Sequence, residues 1–189
     1  MIPGFHYIKN YLSKEELKTI KQYLTKSKKW QGISNSPNSR KVIHYGYNYA
    51  YNRSGITKAD DIPEMFSNLV TMDRVNQAVG QEVLTEEMDQ LIINEYKPGQ
   101  GIAMHIDHTS YFGPVIICIT VGSGIEIDFV DSQDPSKKIT YYVEEGSLYI
   151  MSDQARYRWK HGIQQRTMDG DKQRGTRHSL TYRNIKKAE

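Results

Sequence analysis

From residue 89 onward the chain is a series of short apolar runs, each closed by turn residues: QLIINEY, PVIICITVG, IEIDFV, ITYYVEEG, SLYIMS and RHSLTYRNI. β-Branched and aromatic residues dominate them, and no helical period intervenes. Strands joined only by turns pair antiparallel, which predicts a β-sandwich or jelly roll, an architecture whose mouth can hold one ligand. Two helices are predicted upstream. Ser13 and Glu16 have capping-box spacing and Leu17, Ile20 and Leu24 recur at helical intervals, so residues 13–28 form the first, with its lysines as a solvated face. The second runs from about Pro63 to Val79, with Met65, Leu69, Met72 and Val79 on one face and Gly80 at its end. The fold class is therefore α+β, with N-terminal helices packed on a β-sandwich.

A length of 189 residues suits one core, so residues 1–189 are read as a single domain. The formal charge of +3 permits a nucleic-acid partner without requiring one. Cys118, the sole cysteine, lies within VIICITV and reads as a small buried hydrophobe in a reducing compartment. No apolar run approaches the roughly 20 residues of a membrane helix, and MIPGFHYIKN has no signal-peptide core. The expectation is an intracellular protein, cytoplasmic or nuclear, with no membrane association.

The segment NEYKPGQGIAMHID sets His105 and Asp107 two apart, so in extended chain both side chains point to one side and could share an ion. His161, after a strand and before a glycine turn, is the best third ligand. Two imidazoles and one carboxylate with open positions form the arrangement of non-haem Fe(II) oxygenases. The alternative is a polar surface pair. In RHSLTYR, Arg177, Ser179, Thr181 and Arg183 share one strand face. Facing inward, those cations need an anion, which a ligand carboxylate supplies through charge-assisted hydrogen bonds; facing outward, they form a solvated edge.

Taken together, His105-x-Asp107, His161, Arg177-x-Ser179-x-Thr181-x-Arg183 and the upstream Asn94-x-Tyr96 resemble the AlkB family of Fe(II)/2-oxoglutarate dioxygenases over about residues 40–186. The resemblance implies a double-stranded β-helix, with residues 89–186 as its core and about 40–95 as a substrate-recognition lid and support helix. It implies Fe(II), 2-oxoglutarate and O2 as cofactor and cosubstrates, with His105, Asp107 and His161 on the iron. Arg177 would bind the far carboxylate of 2-oxoglutarate, with Asn94, Tyr96, Ser179, Thr181 and Arg183 lining the same pocket. HYGYNYAY, SLYIMSDQARYRWKHGI and RGTRHSLTYRNI look closest to the subgroup that hydroxylates modified wobble uridines in tRNA. Larger members of that subgroup add an RNA-recognition motif and a methyltransferase domain, which implies a partner protein or RNA binding by this domain itself. Repair-type members carry an acidic residue four positions after the first histidine, where this chain has Thr109.

Tyr45, Tyr47, Tyr49 and Tyr51 repeat at period two and read either as a base-stacking face or as cross-strand core packing. Arg156, Arg158 and Lys160 alternate ahead of His161 and read as phosphate contacts or as a charged strand edge. His108 is expected to point away from the metal, and Glu126 and Asp128 to be strand polar residues. RTMDGDKQRG reads as a mobile loop. The reading is an enzyme acting on a nucleic-acid base, most simply tRNA; the alternatives are an oxidative demethylase of N-alkylated bases, a noncatalytic RNA-binding module, and a protein side-chain oxidase.

Overall fold

A computed structural model describes residues 1–50 and 55–186. Strand β1 (Phe5–Ile8) leads into helix α1 (Lys14–Lys26), followed by β2 (Gln31–Gly32), β3 (Lys41–Tyr45), β4 (Tyr47–Ala50) and β5 (Gly55–Lys58). Helices α2 (Glu64–Ser67) and α3 (Met72–Val79) come next, then β6 (Gln90–Tyr96), β7 (Ile102–His105), β8 (Ile116–Gly122), β9 (Ile125–Asp131), β10 (Lys138–Val143) and β11 (Leu148–Met151). Helix α4 (Asp153–Tyr157), β12 (Trp159–Ile163), β13 (Met168–Asp169), β14 (Lys172–Gln173) and β15 (Arg177–Arg183) complete the order.

Seven strands form the larger sheet in the order β1-β11-β8-β15-β6-β3-β2, and four form the smaller, β10-β9-β12-β7. Every pairing between these strands is antiparallel, and the two sheets stack face to face as the expected jelly roll. The larger sheet is covered on both faces, which explains why β8 reads as a continuous apolar run. Ile117, Ile119 and Val121 meet the helices, in a core shared with Ile20, Leu24, Phe66 and Val75. Ile116 and Cys118 point between the sheets toward Ile125, Ile127 and Phe129. The same alternation sends Leu180 and Tyr182 of β15 to the helices and leaves Arg177, Ser179 and Thr181 inside the sandwich.

The capping box is present: Ser13 Oγ accepts from the Glu16 amide and Glu16 Oε1 from the Ser13 amide. Glu16 also takes two hydrogen bonds from Arg74, at 2.7 and 2.8 Å, tying α1 to α3. The Arg74 hydrogen bond, aided by the Ser13 amide and opposed by burial, holds the Glu16 carboxyl down at about 2, against 4.5 for an ordinary glutamate. A depressed carboxylate stabilises the fold above its unfolded value and loses that effect as pH falls toward the folded one. Glu16→Gln keeps the cap, so it should lower the melting temperature at pH 7 by an amount worth about 1 kcal/mol or less. Thermal melts should show that gap closing between about pH 4.5 and 2, and a gap independent of pH would refute the pairing.

Three expectations are corrected. The helix over 63–79 is two helices: the chain narrows to a 3-10 turn at Asn68–Val70, and Thr71 turns extended and caps α3 by accepting from the Arg74 amide. Tyr182 and Tyr11 hydroxyls donate to the carbonyls of Phe66 and Leu69 in the broken stretch. The β region is not free of helix, because α4 turns the chain from the larger sheet to the smaller between β11 and β12. The tyrosine repeat is not one face. Gly46 sits at φ +77, where a side chain would meet the Asp89 carbonyl, and it re-aims the chain between β3 and β4. Tyr45 is thereby buried against the Tyr23 hydroxyl in the helix-side core, while Tyr47 lies beside Lys58 on the β4–β5 hairpin. Tyr51 lies outside the described residues.

Candidate active site

One cavity of about 550 Å³ opens between the sheets. His105 ends β7 and pairs in register with His161 of β12, so two strands of the smaller sheet bring the imidazoles together with ring centroids 4.3 Å apart. Asp107 follows on the loop after β7, with Oδ1 3.3 Å from His105 Nε2 and 3.5 Å from His161 Nε2. The three donor atoms fall within 4.8 Å of one another, a spacing one ion can bridge. His105 Nδ1 donates to the Ala103 carbonyl at 2.7 Å, which leaves the Nε2 lone pair facing the shared space. Burial, with repulsion from His105 and Arg183, lowers the His161 pKa to about 4 despite the Asp107 charge, so at neutral pH this imidazole is uncharged, the form that can bind a metal. Burial alone would raise the Asp107 carboxyl, but the Arg183 guanidinium beside it holds it well below the usual range. Its Oδ2 accepts from Arg183 Nε at 2.7 Å.

β15 supplies the rest. Its register with β6 sets Arg177 opposite Tyr96 and Ser179 opposite Asn94, so all four face the cavity, with Thr181 and Arg183 further along. Arg177 is 2% exposed, yet no carboxylate among the described residues pairs with it. One terminal amino group donates to Thr120 Oγ1 at 3.1 Å, Nε has no partner, and the guanidinium lies over the Tyr96 ring at 5.6 Å. A buried cation without a counter-anion is costly, and a ligand carboxylate is the group that would neutralise it. The donor set fits Fe(II) and the orphaned guanidinium fits the far carboxylate of 2-oxoglutarate.

Two of the three side chains expected to meet phosphate, Arg156 and Arg158, are engaged elsewhere, while Lys160 on β12 is exposed. Arg156 lies on α4, not on a strand edge, and is 2% exposed; it donates to the carbonyls of Asp107, His108, Phe112 and Gly113. It therefore clamps the loop that carries Asp107. Arg158 is committed to Asp131, through hydrogen bonds of 2.8 and 2.7 Å. The segment RTMDGDKQRG, expected to be mobile, is a β13–β14 hairpin pinned by Asp169, which accepts from Arg166 and Arg174. Glu126 pairs with Arg166, and Asp128 accepts from Thr140 and Gln164.

Of the tyrosines, Tyr49 reaches the cavity mouth, 5.4 Å from the Phe112 ring, and Tyr111 stands beyond it at 6.3 Å. His108 accepts from the Ser110 and Tyr111 amides and stacks on Tyr111 at 4.0 Å, so it lines the mouth with its Nδ1 committed to the loop. Sequence reasoning missed Arg40, Thr120 and Tyr149. Arg40 Nε donates to Asn94 Oδ1 at 3.1 Å, and Tyr149 lines the cavity. The one hydroxyl inside VIICITV was the available signal for Thr120; nothing local marks Arg40, which reaches the site only through folding.

A jelly roll that brings His-x-Asp and a distant histidine together from neighbouring strands, beside a buried arginine, defines a non-haem iron oxygenase. The family model described as the 2OG-Fe(II) oxygenase superfamily matches residues 4–183, and the chain belongs to that superfamily. It is 33% identical over 188 residues to Uncharacterized protein L905 of Acanthamoeba polyphaga mimivirus, covering 96% of this chain and 85% of that one. It is 31% identical to the tRNA (carboxymethyluridine(34)-5-O)-methyltransferase alkbh8 of Xenopus tropicalis, covering 88% of this chain but only 26% of that protein. The structure of OsALKBH1 superposes with a TM-score of 0.72 at 19% identity, covering 97% of this chain and 99% of that one. The protein is thus a dioxygenase of the kind that uses Fe(II), 2-oxoglutarate and O2. No helix among the described residues is long and apolar enough to cross a membrane.

Proposed function

We propose that this dioxygenase hydroxylates a nucleic-acid base, and specifically a carboxymethyl-type wobble uridine of tRNA. The observation that carries the reading is the aromatic rim of Tyr49, His108 and Tyr111 at the mouth of the cavity that holds the His105–Asp107–His161 cluster. A planar base can stack on such side chains, each contact being worth roughly 1–3 kcal/mol, and a wobble base is unpaired before it enters. Similarity to the Xenopus protein, whose name specifies carboxymethyluridine at position 34, supports the same substrate, although the chain spans about a quarter of that protein's length.

Bound Fe(II) and 2-oxoglutarate supply the oxidising chemistry: O2 is consumed, a substrate C–H becomes C–OH, and succinate and CO2 are formed. His105, Asp107 and His161 would hold the metal. Arg177 would anchor the far carboxylate, with Ser179, Thr181, Asn94 and Tyr96 completing that wall, while Arg156 fixes the Asp107 loop. Hydroxylation at a carbon bonded only to carbon leaves a stable alcohol, whereas at an N-methyl carbon the product collapses and releases formaldehyde. Thr109, standing where repair-type relatives carry an acid, favours the retained alcohol.

Iron-loaded protein incubated with 2-oxoglutarate and total tRNA should add one oxygen to a carboxymethyl-type uridine, read by nucleoside mass spectrometry, without stoichiometric formaldehyde. Formaldehyde release from methylated RNA or DNA, with wobble uridines unchanged, would replace this reading with demethylation.

A further inference from the structure

A second cavity of about 630 Å³ adjoins the first, and Arg40 lines both. One wall is the segment from Ile33 to Lys41 that runs into β3; the other is the turn over residues 97–101 ahead of β7. Gln100 ties the two walls together. Its Nε2 donates to the Asn38 carbonyl at 2.9 Å, and its Oε1 accepts from the Lys97 amide at 2.8 Å. The groove is therefore braced by the protein itself.

Its charge is one-sided. Arg40, Lys41 and Lys97 are cationic, and the single carboxylate in the lining, Glu95, is 3.1 Å from His178 Nε2. Lys41 and Lys97 are exposed and have no ion-pair partner among the described residues. Asn38, Ser39 and Gln165 add neutral hydrogen-bonding groups, while Ile33 is the only large aliphatic side chain in the lining. Such a surface has little to offer an apolar peptide and much to offer a chain of phosphates.

We propose that this groove carries the sugar-phosphate backbone of the RNA strand whose base enters the active site, with Lys41 and Lys97 contacting phosphates and Arg40 at the junction. The proposal rests on the nucleic-acid reading above and extends it to the path of the strand. Phosphate contacts position a strand without reading its sequence, so the groove serves any base the cavity accepts.

The test uses fluorescence anisotropy on the full metal-free protein with tRNA and with an unstructured single-stranded RNA, over a range of salt concentrations. Lys41→Gln/Lys97→Gln should weaken binding to both by about tenfold and flatten the slope of log affinity against log salt by about 1.4, the loss of two single-strand phosphate contacts. Lys14→Gln/Lys18→Gln, the same charge removed from the solvated face of α1, should leave the slope unchanged. Equal losses in the two double variants would mean that net charge alone acts, and would overturn the groove. Wild-type affinity in the Lys41/Lys97 variant would overturn it too, while leaving the nucleic-acid reading in place. If the wild-type protein binds neither RNA, both fall together. Far-UV circular dichroism and 2-oxoglutarate binding guard against misfolding, since neither lysine lines the cavity of Arg177.

Discussion

Asp107→Asn should reduce Fe(II)-dependent 2-oxoglutarate turnover by at least about a thousandfold, ~4 kcal/mol, in a protein that still folds. The carboxylate oxygen Oδ1 lies within 3.5 Å of both imidazole nitrogens, so it is the anionic member of the donor set. An amide of the same shape can still accept from Arg183 at the other oxygen position but brings no charge to a dication. Alanine is the poorer probe. It removes the carboxylate that neutralises the Arg183 guanidinium in a side chain only 6% exposed, and breaking a buried pair costs about 3–5 kcal/mol. Metal binding followed by the spectrum of Co(II), with succinate formation and thermal melts, separates the two effects. Wild-type turnover in Asp107→Asn would eliminate the His105–Asp107–His161 assignment.

Arg177→Met should weaken 2-oxoglutarate binding by at least about a hundredfold, because two charge-assisted hydrogen bonds of roughly 1.5–3 kcal/mol each are lost. The same change should raise the melting temperature of the ligand-free protein by a few degrees. The native guanidinium is buried beside Cys118, Thr120 and Tyr96 with no carboxylate among the described residues, and an apolar chain of similar length removes that desolvation cost. Stability gained where function is lost is the signature of a residue kept for a ligand. Melting with and without 2-oxoglutarate reads both effects. A ligand-induced shift as large in the variant as in the wild type would show that the far carboxylate is held elsewhere.

What could be read in the sequence is what depends on local periodicity. Alternation at period two assigned Arg177, Ser179, Thr181 and Arg183 to one face of β15, because successive side chains on any strand point to opposite sides. The same rule brought His105 and Asp107 to one side, and the capping-box spacing of Ser13 and Glu16 placed the start of α1. The rule failed where the chain stopped being a strand. Gly46 breaks the tyrosine repeat by turning left-handed, and α4 takes Arg156 off the strand edge, both under tertiary constraints that a window of sequence does not contain.

The antiparallel β-rich class, the start of α1 and the shared side of His105 and Asp107 follow from the sequence by itself, since each is a property of neighbours along the chain. Which cations are spent and which are left for a ligand was decided only by the tertiary structure. Arg156, Arg158, Arg174 and Arg177 are alike in sequence, yet the first binds four carbonyls, the next two bind Asp131 and Asp169, and the last meets no carboxylate among the described residues. The partners lie from 5 to 59 positions away along the chain. A guanidinium's role is set by the groups that surround it after folding, and that distance is why local pattern could not sort one arginine from another.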